Sequence, residues 1–223
     1  MPTRVTDPTP HDDRGQARTR FARRAVVDAA RDLFVERGYA ATTIDAISDR
    51  SDVPTATVYR LFSSKLGILK ALLDVSIAGD DQGLTLQHRP EVAALFADPD
   101  PEKLLTGFAG ISVAINTRSS GIYRILLSAA SADPEASALH ADYMSTRDLG
   151  QGLIAAALAR AGALRAGLKE RDAADIIHAL MSPDLYRLLV SDRRWNPKRY
   201  QQWLAEMLID QLLPSSPTEA SSK

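Results

Sequence analysis

The chain has 223 residues, 27 Lys and Arg against 28 Asp and Glu, and no cysteine. That length holds one or two domains with a substantial core, and the missing cysteines exclude a disulfide framework, a cysteine-ligated zinc and a thiol nucleophile. Charge is unevenly spread: Arg14 to Lys70 carry a net +5 and residues 71–223 a net −4, the asymmetry of a nucleic-acid binder, although a solvated face also produces an imbalance of this size.

Residues 1–16 hold three prolines and no periodicity, so they read as a disordered arm. Arg14, Arg18 and Arg20 at its end are candidates for reaching a minor groove, with a solvated tail of no fixed role as the alternative. A first helix is expected from about Arg18 to Arg37, with Phe21, Ala25, Ala29 and Leu33 on one face and Gly38 as its stop. Apolar runs are far short of a membrane span and the opening residues lack a signal-peptide apolar region, which suggests a cytoplasmic protein without membrane contact.

The next stretch, Thr42 to Lys65, reads as a helix-turn-helix within a DNA-binding domain spanning 17–64. Thr42 or Thr43 supplies an N-cap oxygen, and Asp45 lies three residues after Thr42 as in a capping box. Ile44, Ile47 and Ser51 share a face. Asp52 tolerates the left-handed backbone a turn requires, Val53 precedes a proline, and Pro54 suits a helix start. Val58, Leu61 and Phe62 face the core, which leaves Thr55, Ala56, Thr57, Tyr59 and Arg60 outward. Such a device puts a helix end into the DNA major groove.

These residues resemble the DNA-binding domain of the TetR family of one-component transcriptional regulators. The matching text is Ala25-Val-Val-Asp-Ala-Ala-Arg-Asp-Leu-Phe-Val-Glu-Arg-Gly-Tyr-Ala-Ala-Thr-Thr-Ile, then Asp52-Val, then Thr57-Val-Tyr-Arg-Leu-Phe-Ser-Ser-Lys. The family usually has glycine at the Asp52 position, a small hydroxyl residue at Pro54 and alanine at Ser48. The resemblance implies an all-α chain: an amino-terminal three-helix helix-turn-helix domain, then a helical ligand-binding and dimerisation domain. Tyr59, Thr57, Thr42 or Thr43 and Lys65 are expected to hold phosphates, and Thr55, Ala56 and Arg60 to approach base edges. Arg60 can read guanine bidentately or contact phosphate.

A connecting helix is expected over 65–81, a helical domain over 82–213 and a disordered tail over 214–223. Helices fall near 90–97, 101–117, 121–132, 135–162, 170–192 and 196–213, with Pro101, Pro134 and Pro197 at starts. Gly162 or Gly167 ends the long helix, and Pro183 either kinks its helix or restarts it with Ser182 as cap. Leu185, Leu188 and Leu189, with Tyr186, form one apolar stripe and Tyr200, Trp203, Leu204, Met207, Leu208 and Leu212 another, and these serve either the subunit's own core or a homodimer seam. The family resemblance favours a homodimer on a palindromic double-stranded DNA operator.

Phe108, Ile111 and Ile115 form one stripe of the central helices, and Tyr123, Tyr143 and Arg147 continue the pattern. A small-molecule effector pocket is expected among them. Asn116, Tyr123, His140, Tyr143, Arg147 and His178 are its polar candidates, each also readable as a core or surface residue. The resemblance implies repression relieved by ligand, and the apolar stripes favour a hydrophobic or amphipathic one. The sequence offers no catalytic motif, no metal-ligand spacing among its four histidines and no cofactor fingerprint. A helical adaptor without specific DNA affinity is the alternative reading.

Overall fold

Ten α-helices and one π-helical segment make up the computed structural model, which describes residues 10–79 and 88–215 and has no strand among them. Helix α1, Pro10–Ala41, breaks at Gly38, whose φ of 79° and ψ of 167° suit a residue without Cβ. The short helices α2 (Ile44–Ser51) and α3 (Thr55–Phe62) follow, then α4 (Lys65–Ala78), closed by Gly79 in the left-handed region. Residues 10–16, expected within the disordered arm, are helical, and residues 1–9 lie outside the described residues. The expected tail likewise lies outside them from residue 216 onward.

The inner face of α1 is Val26, Ala30, Leu33 and Phe34, all buried. Phe21, expected on the buried stripe, is 78% exposed. A strict four-residue step drifts around a helix of 3.6 residues per turn, and Phe21 lies on the side that drifts into solvent. Ile47, Val58, Phe62, Ile68, Leu69 and Leu72 close this core.

Helices α5 (Pro90–Ala97), α6 (Pro101–Ala130), α7 (Pro134–Arg160) and α8 (Glu170–Leu180) build the second domain. They are completed by α9 (Pro183–Tyr186), the π-helical segment Arg187–Asp192 and α10 (Pro197–Leu212). Asp100, Asp133 and Asn196 cap α6, α7 and α10 ahead of the three prolines. The helices expected at 101–117 and 121–132 are one continuous helix, because packing on both sides outweighs the roughly 1 kcal/mol cost of Gly121. The run expected at 170–192 is broken instead. Ser182 accepts from the Leu185 N–H at 3.1 Å and restarts the helix at Pro183, and the chain then widens into the π-helical turn. Gly162, at φ 64°, follows the end of α7.

Two cores result. The lower end of α6, with Ile122, Tyr123, Leu126 and Ala129, joins the helix-turn-helix core, and so does Tyr143 of α7. The second core gathers Leu105, Phe108, Val113, Ile154, Leu158, Ile177, Tyr200, Leu204 and Leu208.

Arginines from neighbouring helices cap helix ends. Arg118 of α6 donates from Nε to Ser76 O and from Nη2 to Ile77 O, both at 3.1 Å, so it holds the last turn of α4. Arg118→Ala is expected to weaken that turn by about 1 kcal/mol, read as faster amide hydrogen exchange confined to the end of α4.

Candidate nucleic-acid interface

The turn between α2 and α3 is built by its own polar groups. Asp52 adopts φ 54° and ψ 34°, as its sequence position predicts. Ser48, buried where alanine is common in the family, donates to the Val53 carbonyl at 2.7 Å. Thr55 donates to Ser48 Oγ at 3.1 Å and lies 3.4 Å from Asp45 Oδ1. This clasp of two hydroxyls, the Asp45 carboxylate and the Val53 carbonyl ties α2 to the start of α3. Ser48→Ala should lower stability by about 1–2 kcal/mol, because it strands the Val53 carbonyl in the core; thermal unfolding of the variant measures it.

The structure separates the residues expected at DNA into two groups. Ala56, Tyr59 and Arg60 are exposed on α3 at i, i+3 and i+4, with Tyr59 51% exposed. Thr43 is exposed too and is the N-cap of α2, accepting from the Ala46 N–H at 3.1 Å. The cap is therefore Thr43, and the Thr42–Asp45 capping box is not formed. Thr57 is half-buried beside them.

The others are committed inward. Thr42, 1% exposed, donates to the Gly38 carbonyl at 2.8 Å and cannot meet a phosphate. Its role is to tie the loop across the break in α1. Thr55 spends its hydroxyl on the clasp. Lys65 donates to the carbonyls of Tyr39 and Thr42, both at 2.8 Å, and lies 4.3 Å from the Tyr39 ring centroid. Burial pulls its ammonium below the ordinary lysine range. Lys65 thus pins α4 to the end of α1, and one of its three N–H groups remains.

Two supports escaped the sequence reading. Arg23 reaches from α1 to the end of α3, donating to the Leu61 carbonyl at 3.3 Å with its guanidinium 4.7 Å from the Phe62 ring centroid. Gly67 lets the Phe62 carbonyl approach so closely that an added Cβ would sit 2.0 Å from its oxygen. The Arg23–Phe62 contact spans too many residues for any local pattern to reveal it.

Of the residues expected at the effector pocket, Phe108 packs on Phe96 of α5 with centroids 5.2 Å apart, and Tyr123 packs on Tyr143 at 5.4 Å. Ile111 packs on the second core and Ile115 is half-buried. The Asn116 amide donates to Ser112 Oγ at 3.4 Å. Tyr123 OH is 3.3 Å from His140 Nε2. Arg147 caps α8, donating to the carbonyls of Met181 and His178 at 3.3 and 3.5 Å. His178 Nδ1 lies 2.7 Å from Asp148 and 2.8 Å from Gln151 Oε1. A cavity of about 180 Å³ lies elsewhere, between Tyr39 and Ala40 of α1 and Ser128, Ala129, Ala132 and Asp133.

The expected dimer seam divides as well. Tyr200 and Leu208 are fully buried within their own subunit, so they are core. Tyr186 meets the Tyr200 ring edge-on at 5.2 Å. Leu185, Leu189, Trp203 and Met207 stay half-buried. Leu188, a member of the expected stripe, is 47% exposed on the π-helical turn. No helix among the described residues is long and apolar enough to cross a membrane, and no group of His, Asp and Glu among them is placed to hold a metal ion.

Residues 26–72 match the model of the bacterial regulatory proteins of the tetR family. The chain is 26% identical over 180 residues to the HTH-type transcriptional regulator YdeS of Bacillus subtilis, covering 80% of this chain and 83% of that one. Among solved structures, the SmeT–triclosan complex superposes with a TM-score of 0.67 at 20% identity, covering 91% of this chain and 99% of that one. NalD, the secondary repressor of the MexAB-OprM multidrug efflux pump in Pseudomonas aeruginosa, gives 0.64 at 21% identity, covering 86% and 96%. The family match spans α2, the turn and α3 together with their supports on α1 and α4, and over residues 26–72 the chain carries the DNA-binding helix-turn-helix of the bacterial regulatory proteins of the tetR family.

Proposed function

We propose that the protein is a dimeric repressor that holds a palindromic operator through the exposed face of α3 and leaves it when a small amphipathic ligand enters the helical domain. The observation that carries this reading is the presentation of Ala56, Tyr59 and Arg60 together on α3, while Ser48, Thr55, Lys65 and Arg23 are spent on holding that helix still. Tyr59, Thr57 and Thr43 take phosphates, which set register, and Ala56 and Arg60 meet base edges, which set sequence. A single such helix reads few base pairs, so two-fold pairing supplies the rest. SmeT, a repressor of a multidrug efflux pump, is solved with triclosan, and NalD is a repressor; both support a repressor with a small-molecule partner.

Selection of bound fragments from a random DNA library tests the operator reading. The expected result is a palindrome whose half-site centres lie about 34–36 Å apart or at a multiple of that. A folded, dimeric protein that enriches no sequence would overturn the proposal in favour of the adaptor. For the dimer, the half-buried Leu185, Leu189, Trp203 and Met207 and the exposed Leu188 form the seam. Leu188→Glu is expected to shift the sedimenting species from dimer to monomer without lowering helix content, and a wild-type protein that sediments as a monomer at micromolar concentration rules the seam out.

A further inference from the structure

We infer that the exposed first turns of α1 form a second DNA contact, in which Gln16 and Arg20 hold the phosphate backbone beside the segment that α3 reads. This inference rests on the operator reading above and adds to it a surface outside the helix-turn-helix.

Helix α1 outruns the core it supports. Its first buried residue is Val26, whereas residues 15–21 are all exposed, a projection of about 10 Å at 1.5 Å per residue. Within the domain the inward stripe of α1 includes Val27, Ala30 and Phe34, all buried, and Arg23 one turn earlier lies over Phe62. Continued backward with the same steps of three and four, the stripe reaches Arg20 and Gln16. It turns there from apolar to polar, and both side chains are exposed.

Charge says what suits this surface. From Arg14 to Arg24 the chain holds five arginines and no acid. Arg20 has arginines three and four residues ahead of it, spacings at which like charges repel on a helix, and a bound anion removes that penalty. Its neighbours are engaged: Arg23 donates to the Leu61 carbonyl at 3.3 Å, Arg24 lies 3.8 Å from Asp28, and the Thr19 hydroxyl bonds back to Gly15 O at 3.0 Å. Arg20 makes no hydrogen bond or ion pair among the described residues.

Position selects the anion. The Arg23 bond to Leu61 sets that arginine at the end of α3, so Arg20, one turn earlier on the same stripe, stands just past the turn that presents Tyr59 and Arg60. The duplex held by those residues is the polyanion at hand. A helix about 10–12 Å wide with its side chains does not enter a minor groove about 6 Å wide. The minor-groove role expected for the arginines here requires an extended arm, and the helix replaces it with phosphate contact, which positions without reading sequence. An anionic bilayer suits the surface less well: the projection offers one large apolar side chain, the exposed Phe21, and it lies about 100° around the helix from Arg20.

The test is the affinity of the full chain for DNA across a salt series, on the selected palindrome and on a duplex of unselected sequence. Arg20→Gln is expected to weaken binding about threefold to tenfold on both and to flatten the salt dependence by about one ion per subunit. It should melt no lower than wild type and select the same palindrome, and Arg20→Lys should recover most of the affinity because a phosphate needs only the charge. Arg18→Gln is the control. Arg18 is equally exposed and unpaired among the described residues, but it lies about 200° around the helix from Arg20, so its loss should cost no more than about twofold. A wild-type salt slope in Arg20→Gln would overturn the inference, as would an Arg18→Gln variant that loses as much. A relaxed base preference in the palindrome selected by Arg20→Gln would put the arginine in a groove instead, and an effect confined to phosphatidylserine vesicles would make the surface a membrane contact. An Arg20 effect on unselected duplex without any selected palindrome removes the operator reading alone, and a palindrome without an Arg20 effect removes this inference alone.

Discussion

Gly67→Ala is expected to destabilise the protein by about 3–5 kcal/mol, although alanine is the better helix former by about 1 kcal/mol. The added Cβ would sit 2.0 Å from the Phe62 carbonyl oxygen and 3.2 Å from its carbon. Both atoms belong to the backbone, so no rotamer change relieves the clash. Relief requires the end of α3 to move away from the first turn of α4, where Ser64 accepts from the Gly67 N–H at 3.0 Å. That motion also pulls Phe62 from the core and from beneath Arg23. For a chain of this size a melting temperature lower by about 10 °C should follow, with loss of operator binding before global unfolding. Gly150→Ala is the control: it lies inside α7 with nothing within 4 Å of an added Cβ. It should stabilise by about 0.5–1 kcal/mol. A Gly67→Ala variant that melts with the wild type would mean that α3 and α4 are less tightly joined than this contact requires.

Local signals in the sequence carried the helix-turn-helix, because its parts are set by neighbours in the chain. The left-handed Asp52, the alternation of Val58, Leu61 and Phe62 inward with Ala56, Tyr59 and Arg60 outward, and the caps ahead of Pro101, Pro134 and Pro197 all follow from spacing. Roles that depend on distant partners did not. The family resemblance points Lys65 and Thr42 at phosphates, yet their acceptors are carbonyls of Tyr39, Thr42 and Gly38, and the two Lys65 bonds reach back 26 and 23 residues. The stripe of Tyr200 and Leu208 suits a partner subunit or the subunit's own core, and both residues are buried in the latter. An apolar stripe records that a helix face is buried, without recording by what. The π-helical turn that carries Leu188 has no sequence signature at all.

Arg60→Ala is expected to cost the operator complex about 2–6 kcal/mol. Arg50 pairs with Glu36 at 3.1 Å, Arg23 lies over Phe62, and Lys65 is hydrogen-bonded inward. Arg60 is exposed on α3 and makes no hydrogen bond or ion pair among the described residues, so its guanidinium is available at no internal loss. A bidentate contact to guanine discriminates by about 1–3 kcal/mol, and a two-fold dimer places it twice. Arg60→Lys separates base reading from phosphate contact, since lysine keeps the charge and loses the fork. If Arg60 reads a base, fragment selection with Arg60→Ala relaxes one symmetric pair of operator positions, and Arg60→Lys recovers little. If it holds phosphate, the selected palindrome is unchanged, the salt dependence of binding flattens by about one ion per subunit, and Arg60→Lys recovers most of the affinity. An Arg60→Ala protein that binds the palindrome within about twofold of wild type would remove α3's last turn from the interface and shift specificity onto Ala56 and the helix start.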